Sequence, residues 1–141
     1  MKQTPAILSL ALALASCAPV VTSATPTQIT MSASYTTGTL RAGEDSPVLA
    51  AIVAIAPTAP VTDSNRQPWR AEDIERNLVV LRSQPRTTTT AFSLSNFAQE
   101  MSWNVISSAG VTTVTARYSS AYAAAADHIF AKLDARFSRV K

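Results

Sequence analysis

A ten-residue apolar run, Ala6 to Ala15, ends in small residues and then in Cys17, the only cysteine of the 141-residue chain. That junction divides the chain. With Lys2 ahead of the run and Ala13-Leu14-Ala15-Ser16 closing it, residues 1–16 have the charged, apolar and small-residue parts of a secretory signal. Ten helical residues span only about 15 Å, half of a hydrocarbon core of roughly 30 Å, so the run is read as an export device and not as a permanent span. The 125 residues that follow carry their one thiol at the start. They are expected to form a single domain without a disulfide, held by one hydrophobic core.

Leu14-Ala15-Ser16-Cys17 resembles the lipobox of bacterial lipoproteins: an aliphatic residue, two small residues and the cysteine at the cleavage point. The resemblance implies that diacylglycerol is attached to the Cys17 thiol, that a peptidase cuts between Ser16 and Cys17, and that the freed amine is acylated. A small residue before the scissile bond leaves room in a protease site, and a thiolate is the nucleophile able to become the thioether. Each buried methylene adds about 0.8 kcal/mol, so two or three chains make a firm anchor. Ala18 stands where an inner-membrane retention signal has aspartate, which by the same resemblance implies the outer membrane of a Gram-negative cell, with the domain facing the periplasm. Read without the resemblance, an ordinary signal cut after Ala15 leaves Cys17 as a free thiol in want of a partner chain.

Without residues 1–16 the chain keeps eleven Lys and Arg against nine Asp and Glu, a net charge of +2. That excess is too small to point to nucleic acid. Only three glycines are present, which disfavours glycine-rich phosphate loops.

Residues 17–28 are small, hydroxylated and proline-bearing, and read as a lipidated terminus and tether; the domain is placed at 29–141. Ile29, Met31, Ala33 and Tyr35 alternate with Thr30, Ser32 and Ser34, predicting a half-buried strand. In the segment 46–56, nine apolar residues, 48–56, are bounded by Pro47 and Pro57. Ser46 as cap and Pro47 in the first turn predict a helix, although Val48, Ile52, Val53 and Ile55 also suit a buried strand. Residues 57–68 read as a loop. Ala71, Ile74, Leu78 and Leu81 then fall on one helical face, with Glu72 placed to pair with Arg76, predicting a helix that ends before Pro85. Alternation over 87–95 predicts a strand. Phe97, Met101 and Val105, after Ser95 or Asn96 as cap and before Gly110, predict a helix. Residues 111–118 predict a strand. Ser119 or Ser120 caps a last helix whose stripe is Tyr122, Ala126, Ile129, Leu133 and Phe137, with Lys132, Arg136, Arg139 and Lys141 near its negative end. The expected class is α+β: a mixed or antiparallel sheet of three or four strands on two or three helices.

No motif for chemistry stands out. His128 is the single histidine and reads as a solvated helix residue, so no metal ligand set and no cofactor are expected. No Gly-x-Ser-x-Gly elbow occurs, and the one Ser-x-x-Lys spacing, Ser138 to Lys141 after the last predicted helix, has none of the companion motifs that make it a hydrolase signature. Glu72, Asp73 and Glu75 have local helix-electrostatic explanations, and Trp69 and Trp103 are expected in the core. The preferred expectation is therefore a non-enzymatic, lipid-anchored module that docks another envelope protein in a secretion, pilus or conjugation type of assembly. The face of the last helix with Asp127, His128, Lys132 and Arg139 is the expected docking side. The strand–helix–strand–helix order read over the C-terminal half is similar to the small ring-forming modules of secretin-type complexes, in element order alone. The alternative is a lipid-binding or transporter-auxiliary lipoprotein with 48–56 lining an apolar groove. An enzyme with a dispersed site is the remote third.

Overall fold

The computed structural model describes residues 26–61, 67–83 and 99–141. The first alternating stretch forms β1 (Gln28–Thr36), with Ala33 and Tyr35 buried and Thr30, Ser32 and Thr36 exposed. It leads to α1 (Pro47–Ile55), as expected, with Ser46 in extended backbone at its N-cap and Pro47 in the first turn. The Ser46 hydroxyl makes no capping bond. A 3-10 turn, Ala56–Thr58, closes α1.

The expected helix beyond residue 70 is instead a hairpin of β2 (Arg70–Ile74) and β3 (Leu78–Arg82). Glu75 and Leu78 exchange both backbone hydrogen bonds, at 2.8 and 3.4 Å, around Arg76 and Asn77. The expected helix on Phe97, Met101 and Val105 is likewise overturned, for Met101 and Val105 lie in β4 (Glu100–Ser108). Here Met101, Trp103 and Val105 are buried on one face while Asn104 and Ile106 are exposed on the other. Gly110 is not a helix stop. Ala109 and Gly110, both with positive φ (48° and 80°), make the two-residue turn into β5 (Val111–Ser119), a geometry that matches the twist of the paired strands. The strand predicted at 87–95 lies outside the described residues, as do residues 1–25.

After β5, the Ser119 hydroxyl accepts the Ala121 N–H and caps a 3-10 turn, Ser120–Tyr122, that runs into α2 (Ala123–Arg136). The predicted stripe holds: Tyr122, Ala126, Ile129 and Leu133 are buried, and Phe137 packs against the core from just beyond the helix. A two-residue strand, β6 (Ser138–Arg139), ends the fold.

The expectation of three or four strands is too low. Among the described residues six strands form one antiparallel sheet in the order β2-β3-β4-β5-β1-β6. The long meander became possible because the two stretches read as helices are strands. Both α-helices pack on the same face. Trp103 meets Phe130 at 5.0 Å between ring centroids, Trp69 meets Tyr122 edge-on at 5.2 Å, and Val79, Leu81, Val105 and Val114 are fully enclosed between sheet and helices. Burial of each large apolar side chain contributes roughly 1.5–3 kcal/mol, so this single layer carries a core that has no disulfide to assist it. The class α+β stands, in two layers.

Candidate functional site

The two-layer build leaves two broad surfaces of different character. On the helical side, α1 and α2 pack together and leave a shallow groove of about 270 Å³ lined by Ala54, Ile55, Thr58, His128, Lys132 and Arg136. The three basic residues recur every four positions on α2, a spacing that stacks them along one flank of a helix. The Thr58 hydroxyl donates to the Ile55 carbonyl at 2.7 Å and lies 3.1 Å from His128 Nε2. A hydroxyl has one hydrogen to give, so Thr58 Oγ1 accepts from His128, and Nε2 carries the proton. His128 is thereby tied to the end of α1, half-buried, with Lys132 and Arg136 exposed in line below it.

Arg139 does not join this row. It lies in β6, where its guanidinium meets Asp134 at 3.3 Å. Asp134 also accepts the Tyr35 hydroxyl at 2.9 Å. Burial first, and then the Asp134 carboxylate, hold the Tyr35 phenol well above the ordinary tyrosine range. The helix face expected to carry His128, Lys132 and Arg139 together is therefore two sites: His128 and Lys132 by α1, and Arg139 by β6.

The other surface is the face of the sheet turned away from both helices. Its central rows are hydroxyl ladders, with Ser32 and Thr115 paired at 2.9 Å and Ser34 and Thr113 at 2.9 Å. Toward β2 the ladder gives way to charge, where Arg82 bridges Glu72 and Glu100. Hydrogen bonds that the guanidinium donates to Glu72 first and Glu100 second raise it above its ordinary value. These are exposed groups that fix the strands' edge and add little stability. At the β1 end, Arg117, Glu100, Ser102 and Ser119 line a shallow depression of about 280 Å³ together with Pro26, Thr27 and Gln28. Ile106 stands exposed further down β4. The edge at β2 is blunted by a register shift between Ala71 and Asp73 and by Glu72 and Asp73, devices that discourage strand addition.

Among the described residues no three His, Cys, Asp or Glu side chains gather as a metal-ligand group. No helix among them is long and apolar enough to cross a membrane. Ser16 and Cys17 lie outside the described residues. Sequence reasoning placed Arg136 only in the basic cluster at the helix end, and the four-residue period His128-Lys132-Arg136 was the signal that puts it in the groove. The hydroxyl ladders were visible only as polar alternation, since pairing partners 79 and 83 positions apart cannot be read along a chain. No family model, no curated protein and no solved structure matches this chain.

Proposed function

We propose that this chain is a lipoprotein, anchored through Cys17 in the outer membrane, whose periplasmic domain is an interaction module of an envelope assembly. The observation that supports a docking role is the sheet face that, among the described residues, no helix covers. Three adjacent strands, β1, β5 and β4, present Ser32, Ser34, Thr113, Thr115, Arg117, Asn104 and Ile106 on one face, and both α-helices pack on the opposite one. Small hydroxyls that bond to one another lose little side-chain entropy on contact, and among them Arg117 is of a type enriched at protein interfaces. A lipid-carrier reading has less behind it. Ala54 and Ile55 do line a groove, but about 270 Å³ of open groove is below the roughly 300–1,000 Å³ typical even of small-molecule sites.

A photocrosslinking residue at Thr115 or Arg117, introduced into the full chain and irradiated in intact envelopes, tests this. Discrete adducts from the sheet face, absent when the same probe replaces Ala131 on α2, are expected. Absence of sheet-face adducts, or adducts equal from both sides, sinks the sheet face as the docking side.

A further inference from the structure

The helical layer's outer surface differs from the sheet in a way that selects its own neighbour. From Pro47 to Ile55, α1 carries no charged or polar side chain, although Pro47, Ala50 and Ala54 are exposed and Val53 is half exposed. A helix that is apolar on every side is ordinarily enclosed. Beside it stands the row His128, Lys132, Arg136, and next along α2 come the exposed Ala124, Ala131 and Ala135. The acids of α2, Asp127 and Asp134, fall on the far rim by helical spacing, and Asp134 is already engaged by Tyr35 and Arg139. Among the described residues, Lys132 and Arg136 make no ion pair.

We propose that this face lies on the anionic lipid surface to which Cys17 would hold the domain, with α1 at the boundary of headgroups and acyl chains and the α2 cations on lipid phosphates. This inference rests on the lipoprotein reading. Charge complementarity selects the occupant: an apolar strip flanked on its α2 side by cations, with the acids Glu44 and Asp45 only off its N-terminal end, matches a surface whose outer layer is phosphate and whose next layer is hydrocarbon. Alanines and a valine bury little area, so the contact is too weak to hold a free protein. An anchor changes that. With residues 18–27 acting as the tether their composition suggests, the reach from Cys17 to Gln28 would be only about 17 Å, which makes docking an intramolecular event at an effective concentration near millimolar. The sheet face is then turned outward, to the side where a periplasmic partner arrives.

The test uses the protein purified from cell envelopes and reconstituted into vesicles, either of phosphatidylcholine alone or with about one third phosphatidylglycerol. An environment-sensitive fluorophore is attached at Ala54→Cys and, as control, at Thr115→Cys. The expected result is a blue-shifted Ala54 label, quenched at least twofold by a headgroup-level lipid quencher on anionic vesicles. That quenching is lost on neutral vesicles, in 0.5 M salt and in the Lys132→Glu/Arg136→Glu variant, while the Thr115 label stays aqueous throughout. The salt arm needs no variant and so does not depend on how the double reversal folds. An Ala54 label that is aqueous on both vesicles, or unmoved by salt and by the reversal, overturns the proposal. The intact mass of the N-terminal peptide reports the anchor separately. Acylated protein without the anionic response sinks the lipid-facing surface, and the response in unacylated protein sinks the anchor alone.

Discussion

The Tyr35 hydroxyl donates to Asp134 Oδ1 at 2.9 Å, joining the inner face of β1 to the last turn of α2 across 99 positions of sequence. An aspartate near a helix C-terminus faces the negative end of the macrodipole. Tyr35 from β1 and Arg139 from β6 offset that cost, so one carboxylate ties together three elements.

The bond has a pH signature. The Tyr35 phenol titrates above its ordinary value near 10 in the folded protein, mainly through burial, so at alkaline pH the unfolded chain loses a proton that the native state keeps. Stability from this residue is complete below about pH 10 and falls as pH rises beyond it. Tyr118, raised chiefly by burial and then by the charge of Asp127, adds in the same direction. Tyr35→Phe should cost about 0.5–1.5 kcal/mol at pH 7 and flatten the alkaline decline. Urea midpoints at pH 7, 9 and 10.5 measure both effects, and an unchanged alkaline slope in the variant removes Tyr35 as its source.

Leu133 is fully enclosed on α2, and Leu133→Ala should cost about 2–5 kcal/mol. Trp103 offers a contrast, because its Nε1 is buried with no acceptor among the described residues. In Trp103→Phe the lost packing is partly offset by removal of that unpaired donor, so the loss should be smaller than for Leu133→Ala. Chemical denaturation of both variants orders them, and the reverse order would show that the indole N–H is satisfied.

The two misread segments have different causes. A spacing of four is a multiple of two, so Met101 and Val105 lie on one face of a helix and equally on one face of a strand. Trp103, midway between them and fully buried, is the residue that separates the two periods. At 71–81 the intervals of three and four were helical, but Leu78-Val79-Val80-Leu81 is a continuous apolar run with adjacent β-branched residues, as suits a strand in mid-sheet. By contrast β1, β5 and α2 were legible, since alternation with hydroxyl residues fits no helix and the α2 stripe recurs over four turns. The basic groove was only half legible. His128, Lys132 and Arg136 share a flank by spacing, whereas the Thr58 hydroxyl that meets His128 comes from 70 positions away.

The turn at Ala109-Gly110 predicts a gain. Ala109 sits at φ 48°, where a Cβ is crowded by the backbone at a cost of about 1–2 kcal/mol, and Asn tolerates that region far better. Ala109→Asn should therefore raise stability by about 0.5–1 kcal/mol. Gly110→Ala, at φ 80°, should lower it by a similar amount or more, although the nearest atom to a new Cβ is at an ordinary 3.6 Å. The strain is conformational and not a clash. Thermal melts decide, and a neutral Ala109→Asn would place the turn outside the left-handed region.

The anchor gives the last prediction. If Cys17 carries the lipid, Cys17→Ser removes the only thiol of the chain and with it the nucleophile for thioether formation. A peptidase that acts on the lipidated precursor then has no substrate, so full-length chain with residues 1–16 attached should accumulate and incorporate no labelled fatty acid. Domain stability should not change, since Cys17 precedes β1 by ten residues and no disulfide in the domain depends on it. Mass analysis and fatty-acid labelling of wild type and variant give the answer together. Normal cleavage of the variant after Ala15, with no acyl mass on the wild type, means an ordinary secretory signal. The tethered arrangement that turns the α1–α2 face toward a membrane would then lose its foundation.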